Sequence, residues 1–332
     1  MPEKATGNYS GSVSSTSLVN GGQGYRNGTA GGGGRECGEN GNVRVGDRRS
    51  AVYSNERAGE RRGNGGNAKI GERQNAVQGM NIGTWNVRTM KVVGKLENIK
   101  VEMRRRESNV LGLGEVRWEN EGDFESDEFR VIHSGSTGGQ KGVALILDKE
   151  FGKRVKKVVY HSDRLLLVRV EADPVDIVLL QVYMPTSAED DEVIESMYEQ
   201  IEGLIRQEKA TDNVIIMGDW NAVVGEGRED REVGDFGLGT RNERGQMLVD
   251  FCKRWNMVVT NTWFEQEKRR RNTWKKPGDT GRYQIDYILV KYRYKNSVKW
   301  CKSYPGADAF TDHNLVAMQM NVKLKILQRG KK

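Results

Sequence analysis

Polar residues with catalytic potential recur at one kind of place in this sequence, the end of a short apolar run. Asn86 closes Ile82-Gly83-Thr84-Trp85-Asn86. An amide there can orient a carboxylate, donate to a phosphate oxygen or close an Asx turn. Glu115 ends the run that begins at Val110. An acid so placed is costly to bury unless it is paired, for instance with Arg117, or bound to a metal, and magnesium selects such hard oxygen donors. Tyr183 leaves another long apolar run, either as a half-buried core residue or with its hydroxyl at the same rim. Asp219 and Asn221 follow Val214 to Gly218. Alternate residues of an extended chain share a side, so both can reach one phosphoryl oxygen and an attacking water, and Gly218 permits close backbone approach. Among three histidines, His313 follows Asp312 and opens the last apolar run, which makes it the acid/base candidate. Asp286 could orient and charge-stabilise that imidazole, as carboxylates do in hydrolytic sites.

These residues can act together only if their runs lie side by side with the loops at one edge. From Met80 onward β-rich runs alternate with a few amphipathic stretches, which predicts a mixed α/β layer structure. Strands are predicted at 81–86, 110–115, 129–133, 142–147, 155–160, 165–170, 175–183, 214–218, 257–260, 285–290 and 315–320. Helical periodicity is clearest over 191–208, where Val193, Ile194, Met197, Tyr198, Ile201, Leu204 and Ile205 form a stripe expected to be core. Helices are also predicted from about Lys95 to Arg106 and from about Gly245 to Trp255. Eleven strands exceed one comfortable sheet, so two stacked sheets flanked by helices are expected.

The first 79 residues carry 19 of the 41 glycines and neither Trp nor Phe, too little apolar surface to offset the backbone entropy of folding. A disordered, basic, Gly-rich tail is expected over 1–79, one folded domain over 80–322 and a basic C-terminal tail over 323–332. The net charge of +7 is clustered, notably in Arg104-Arg105-Arg106 and in Lys268, Arg269, Arg270 and Arg271, as a phosphate-tracking surface requires, although solvated faces also look like this. Cys37, Cys252 and Cys301 are too few for a disulfide framework or a zinc site. No apolar run approaches the roughly 20 residues of a membrane span, and the N-terminus lacks a signal-peptide core. A nuclear or cytoplasmic location without secretion is expected.

Taken in order, Asn86, Glu115, Tyr183, Asp219-x-Asn221, Asp286 and Asp312-His313 closely resemble the motifs of the endonuclease/exonuclease/phosphatase superfamily, over about Met80 to Met320. Thr84-Trp85-Asn86-Val87-Arg88 and Ile285-Asp286-Tyr287-Ile288-Leu289 look like the apurinic-type endonuclease of non-LTR retrotransposons, especially the RTE-like group, and the craniofacial development protein 2 family is similar too. The resemblance implies a DNase I-like α/β (α+β) fold, a four-layer sandwich of two mixed sheets with helices outside. It implies Mg2+, with Mn2+ as a substitute, held by Glu115 with help from Asn86 and with Asp312 as a further carboxylate. Asp219 would activate or orient the water, Asn221 and Tyr183 would contact the scissile phosphate, and His313, supported by Asp286, would stabilise the phosphorane or bind phosphate. Arg88 stands where abasic-site repair enzymes of the superfamily carry an acid, which favours the retroelement branch. Duplex DNA is the implied partner. Arg88, the Lys268 to Arg271 run, Trp274 and Tyr283 are its expected contacts, with Trp263 and Phe264 nearby as core or wedge. Two other readings stay open: the same chemistry on a small phosphorylated substrate, and a domesticated DNA-binding module without turnover.

Overall fold

The computed structural model describes residues 78–186 and 188–322. The expected tails lie outside the described residues, except that Gln78 and Gly79 already pair with Val322 and Asn321. In chain order the elements are β1 (Gln78–Asn86), α1 (Lys95–Arg105), β2 (Val110–Gly114), β3 (Glu121–Ser126), β4 (Phe129–Ser134), β5 (Val143–Asp148) and α2 (Lys149–Gly152). There follow β6 (Val155–Ser162), β7 (Leu165–Val170), β8 (Ile177–Tyr183), α3 (Asp191–Arg206), β9 (Asn213–Asp219) and α4 (Glu243–Trp255). The last are β10 (Met257–Val259), β11 (Trp274–Lys275), β12 (Arg282–Tyr283), β13 (Asp286–Lys291), β14 (Val298–Tyr304) and β15 (Leu315–Val322).

Two βαβ units set the architecture. The parallel pair β1/β2 is joined through α1 and the parallel pair β8/β9 through α3, as parallel neighbours require. Antiparallel strands extend each pair into a seven-stranded sheet, β14-β15-β1-β2-β5-β4-β3, and a six-stranded sheet, β10-β13-β9-β8-β7-β6. Both sheets are therefore mixed, and β11 with β12 makes a separate small ribbon. Strands β1 and β2 end at the same edge of their sheet, as β8 and β9 do in the other. The antiparallel β13 starts at that edge, with Asp286 opposite Asp219, and β15 starts beside the end of β1.

Period-two burial explains the layers. Ile82, Val110, Leu145 and Val316 of the first sheet pack on Leu166, Leu179, Ile215 and Ile288 of the second, forming the core between the sheets. Residues one position along, such as Trp85, Leu111 and Ile146, turn outward against Ile99 and Met103 of α1. On the other side Leu180, Ile216 and Leu289 meet Ile194, Ile201 and Ile205 of α3 and Leu248 and Phe251 of α4. The result is the four-layer α/β sandwich with helices outside.

All eleven predicted strands and all three predicted helices are present, with ends shifted by at most three residues. Val193 of the expected α3 stripe is exposed, however, because it lies at the edge of the face that Ile194, Met197 and Ile201 bury. Helix α4 begins at Glu243 rather than Gly245 because Asn242 caps it, its side chain accepting from Gly245 N at 2.8 Å. Strands β3 and β14, and the short β11 and β12, went unpredicted. Strand β3 carries Glu121, Asp123 and Glu125 along an exposed sheet edge, with no apolar alternation to betray it. No helix among the described residues is long and apolar enough to cross a membrane.

Candidate active site

Seven of the sequence-predicted residues meet at the strand edge just described. Asn86 lies at the centre: its Nδ2 donates to Glu115 Oε1 at 3.1 Å and to Asp219 Oδ2 at 3.0 Å, tying the first sheet to the second. Its own Oδ1 accepts from Arg88 N at 2.9 Å, the Asx-turn bond, so the amide orients carboxylates and closes the turn together. The two carboxylates sharing Nδ2 are thus within two hydrogen-bond lengths of each other. Glu115 Oε1 also accepts from the Tyr183 hydroxyl at 2.9 Å, while Oε2 takes the Arg117 guanidinium at 2.9 Å, the pairing the sequence had offered.

The second group surrounds His313. Its Nδ1 lies 3.0 Å from Asp286 Oδ2, and its Nε2 points toward Asp219 Oδ2 at 3.9 Å. Asp219 Oδ1 accepts from Asn221 N at 3.0 Å, and Asn221 Nδ2 donates to Met184 O. Asp219, Asp286 and His313 are buried, and their ligand atoms lie within 4.8 Å of one another. Supports for this group come from distant segments. Trp85 Nε1 donates to His313 O at 3.0 Å, Thr311 Oγ1 to Asn86 O at 2.9 Å, and Thr273 Oγ1 accepts from the backbone N–H groups of Ile285 and Asp286.

Charge at the site follows from burial and neighbours. Burial opposes a charged imidazole, but the adjacent Asp286 carboxylate, through both charge and hydrogen bond, outweighs it and raises His313 to about 9. Burial, and then the charge of Asp286, push Asp219 well above the usual carboxylate range. Burial and Glu115 likewise raise the Tyr183 hydroxyl, which therefore acts as a donor. Arg88, Glu115, Arg117 and Asn221 all hold left-handed backbone, with φ between 47° and 58°. Such conformations are uncommon for non-glycine residues and cluster where a site dictates side-chain direction.

Above these residues opens a cleft of about 490 Å³ lined by Arg88, Glu115, Arg117, Tyr183, Asp219, Asn221, Trp274, Tyr283, Asp312 and His313. Trp274 forms a wall, its Nε1 donating to Asp312 Oδ2 at 3.1 Å and its ring 5.7 Å from that of Tyr283. Asp312 Oδ1 is buried without a hydrogen-bond partner, as is Asp286 Oδ1, and Arg88 Nε approaches the former at 3.8 Å. Among the described residues, Asp219, Asp286 and His313 are the group whose ligand atoms converge, and the orphaned Asp286 oxygen there is a hard donor suited to a divalent cation. Glu115 and Asp312, the ligands expected from the sequence, line the same cleft outside that group. The Lys268 to Arg271 run does not line the cleft and does not act as one patch. Arg271 turns inward onto Gln266 O, Gly237 O and Glu226, Arg269 pairs with Glu267, the exposed Lys268 reaches Glu226 at 3.8 Å, and Arg270 is half-buried without an ion pair among the described residues. Trp263 and Phe264 pack against the core between the sheets. Thr186, Val223, Asn242 and Ile285 complete the lining, and Thr273 supports Asp286 from below. None of these five interrupts an apolar run in a way the sequence would reveal.

A two-sheet sandwich whose strand ends pool carboxylates, amides and a histidine defines a class of phosphoester-processing proteins. The family described as "Endonuclease/Exonuclease/phosphatase family" matches residues 83–313, and the chain belongs to it. Craniofacial development protein 2 of Bos taurus is 38% identical over 249 residues, covering 75% of this chain and 42% of that protein. The same protein of Tragulus javanicus is 37% identical over 75% of this chain and 43% of its own length. The chain thus spans less than half the length of these curated relatives. In three dimensions it is similar to the endonuclease domain of TRAS1, a telomere-specific non-LTR retrotransposon, with a TM-score of 0.54 at 16% identity over 74% of this chain and all of that domain. The AP endonuclease LMAP of Leishmania major gives 0.57 at 17% identity, over 73% of this chain and 88% of that one. At such identities the solved structures speak for the fold.

Proposed function

We propose that this chain is a divalent-metal-dependent DNA endonuclease that nicks duplex DNA by hydrolysing a phosphodiester, in the manner of a retrotransposon endonuclease. The observation that carries this reading is the bridge from Asn86 Nδ2 to both Glu115 and Asp219, beside the His313–Asp286 pair and beneath an open cleft.

In this reading Asp219, held by Asn86 and Asn221, takes a proton from the attacking water. A carboxylate whose affinity for protons is raised toward neutrality is a competent base. The water oxygen forms the new bond to phosphorus as the bond to the leaving 3′ oxygen breaks, and that oxygen takes a proton from solvent to leave a 3′-hydroxyl opposite a 5′-phosphate. His313, kept protonated by Asp286, donates to a non-bridging phosphoryl oxygen as its charge grows. Tyr183 and Asn221 position the phosphate. Glu115 and Asp312 would hold Mg2+, or Mn2+ in its place, while Asn86 fixes the Glu115 carboxylate. When bound, such a cation offsets charge on the phosphoryl oxygens. Trp274, Tyr283 and Arg88 would contact the strand at the cleft, with Lys268 and Arg270 further out, and a DNA substrate would place the chain in the nucleus.

The test is nicking of supercoiled plasmid with and without magnesium, comparing the unmodified chain with Glu115→Ala and His313→Ala. A loss of about 100-fold or more is expected for each, in line with single catalytic groups elsewhere. Unchanged rates in both variants would remove the assignment. Turnover of a small phosphoester without salt-dependent duplex binding would transfer the chemistry to that substrate, and salt-dependent binding without metal-dependent turnover would leave a DNA-binding module.

A further inference from the structure

The outer face of the first sheet is covered unevenly. The apolar cluster under α1 takes in Tyr304 and Leu315 at its edge but neither Trp300 nor Lys302, which stay partly exposed on β14. Trp300, Lys302 and Tyr304 alternate along that strand and so share one side, while Cys301 and Val298 turn into the core between the sheets. Lys302 Nζ lies 4.9 Å from the Trp300 ring centre and 5.4 Å from that of Tyr304, and the Arg106 guanidinium stacks on Tyr304 at 4.1 Å. Opposite Lys302 on β15 stands Ala317, and Lys302 is half-buried there.

The charge here outnumbers its counterions. Among the described residues no carboxylate comes within ion-pairing distance of Lys302 or Arg270, and Glu102 alone serves both Arg105 and Arg106. Burial, Arg270 and Arg106 together depress the proton affinity of Lys302, as expected for like charges gathered around it. Holding Lys302 and Arg270 beside Arg106 with Glu102 as the one paired acid costs free energy that an anion would recover. Each partner also leads back to the cleft: Tyr304 precedes Asp312 and His313 by one loop, and Arg270 precedes Trp274 by four residues. Four residues span at most about 15 Å, roughly four base steps at 3.4 Å each.

We propose that the platform formed by Trp300, Lys302 and Tyr304, with Arg106 and Arg270 at its margins, is a second contact surface for duplex DNA. It would grip the phosphate backbone a few base steps from the phosphate in the cleft. The proposal rests on the DNA reading above and extends it from the cleft to the flank. A lysine braced between two rings loses little freedom on meeting a phosphate, which favours a backbone contact that is indifferent to sequence.

The test uses the full chain and Lys302→Glu, with Lys302→Arg as the conservative variant, on duplexes of about 12 and 30 base pairs. Binding is titrated in calcium and nicking is followed in magnesium. For Lys302→Glu, affinity for the long duplex should fall about tenfold and its salt slope by about one unit, the effect of losing one phosphate contact. Lys302→Arg should retain both, and nicking of the short duplex should be unchanged in either variant. Long-duplex affinity and slope unchanged in Lys302→Glu, while the unmodified chain binds and nicks, would overturn the platform and leave the cleft reading standing. Absence of duplex binding by the unmodified chain at any length would overturn both.

Discussion

His313 carries its proton to about pH 9 because Asp286 lies against Nδ1, and the sign of the resulting pH dependence is fixed. A raised base keeps its charged form below its shifted pKa and loses it above, so activity that needs the Asp219 carboxylate and the His313 imidazolium together should rise as pH passes about 7 and decline through about pH 9. Asp286→Asn removes the charge but keeps the shape, and the alkaline limb of kcat/KM should then move toward lower pH, with a lower plateau. A limb that stays in place would show that Asp286 does not govern that proton. The residues of the cleft were legible in the sequence where an apolar run meets a polar group, at its end as with Asn86, Glu115 and Asp219 or at its start as with Asp286. Their supports were not. Trp85 donating to His313 O, and Thr273 holding the Asp286 backbone, join segments far apart in the chain, and no local pattern records such bonds.

At the scale of elements, β8 and β9 must lie close enough for Tyr183 and Asp219 to stand side by side, and Gly218 permits this. A Cβ there would lie 1.8 Å from Val182 O, a backbone atom that cannot swing away. Gly218→Ala should therefore cost roughly 3 kcal/mol, read as a lower urea midpoint at constant m-value. An unshifted midpoint would contradict the packing of these two strands. Strand β4 offers a second test. Its His133 is buried beside Trp118 and Phe124, and burial holds its pKa below the ordinary histidine value. In that case the unfolded chain takes up the proton first, so stability should drop as pH falls below about 6.5. His133→Gln should abolish this part of the acid sensitivity in thermal melts across pH 5 to 7, and an identical slope would refute the assignment. Buried strands such as β7 and β9 were easy to read because both faces are apolar. The acidic edge β3 was not, since it owes its conformation to pairing with β4 rather than to its own side chains.

The molecule as a whole joins two similar halves, each a mixed sheet built on one βαβ unit, so that neither sheet alone holds a complete site. Glu115 belongs to the first sheet and Asp219 to the second, whereas His313 sits at the start of β15 yet is oriented by Asp286 from β13. The two-sheet arrangement was legible from the count of strands. The pairing of particular strand ends across the sheets was not, because it depends on which outer face each helix covers. The claim on which everything depends is that residues of both sheets act as one catalytic unit. A double-mutant cycle on single-turnover cleavage of a duplex, with Glu115→Ala, His313→Ala and the combined variant, measures this directly. One shared site requires strong non-additivity, the combined variant being hardly slower than the worse single. Losses that simply multiply, about 10⁴-fold in the combined variant, would mean that the two residues act independently and that the bridge through Asn86 does not unite them.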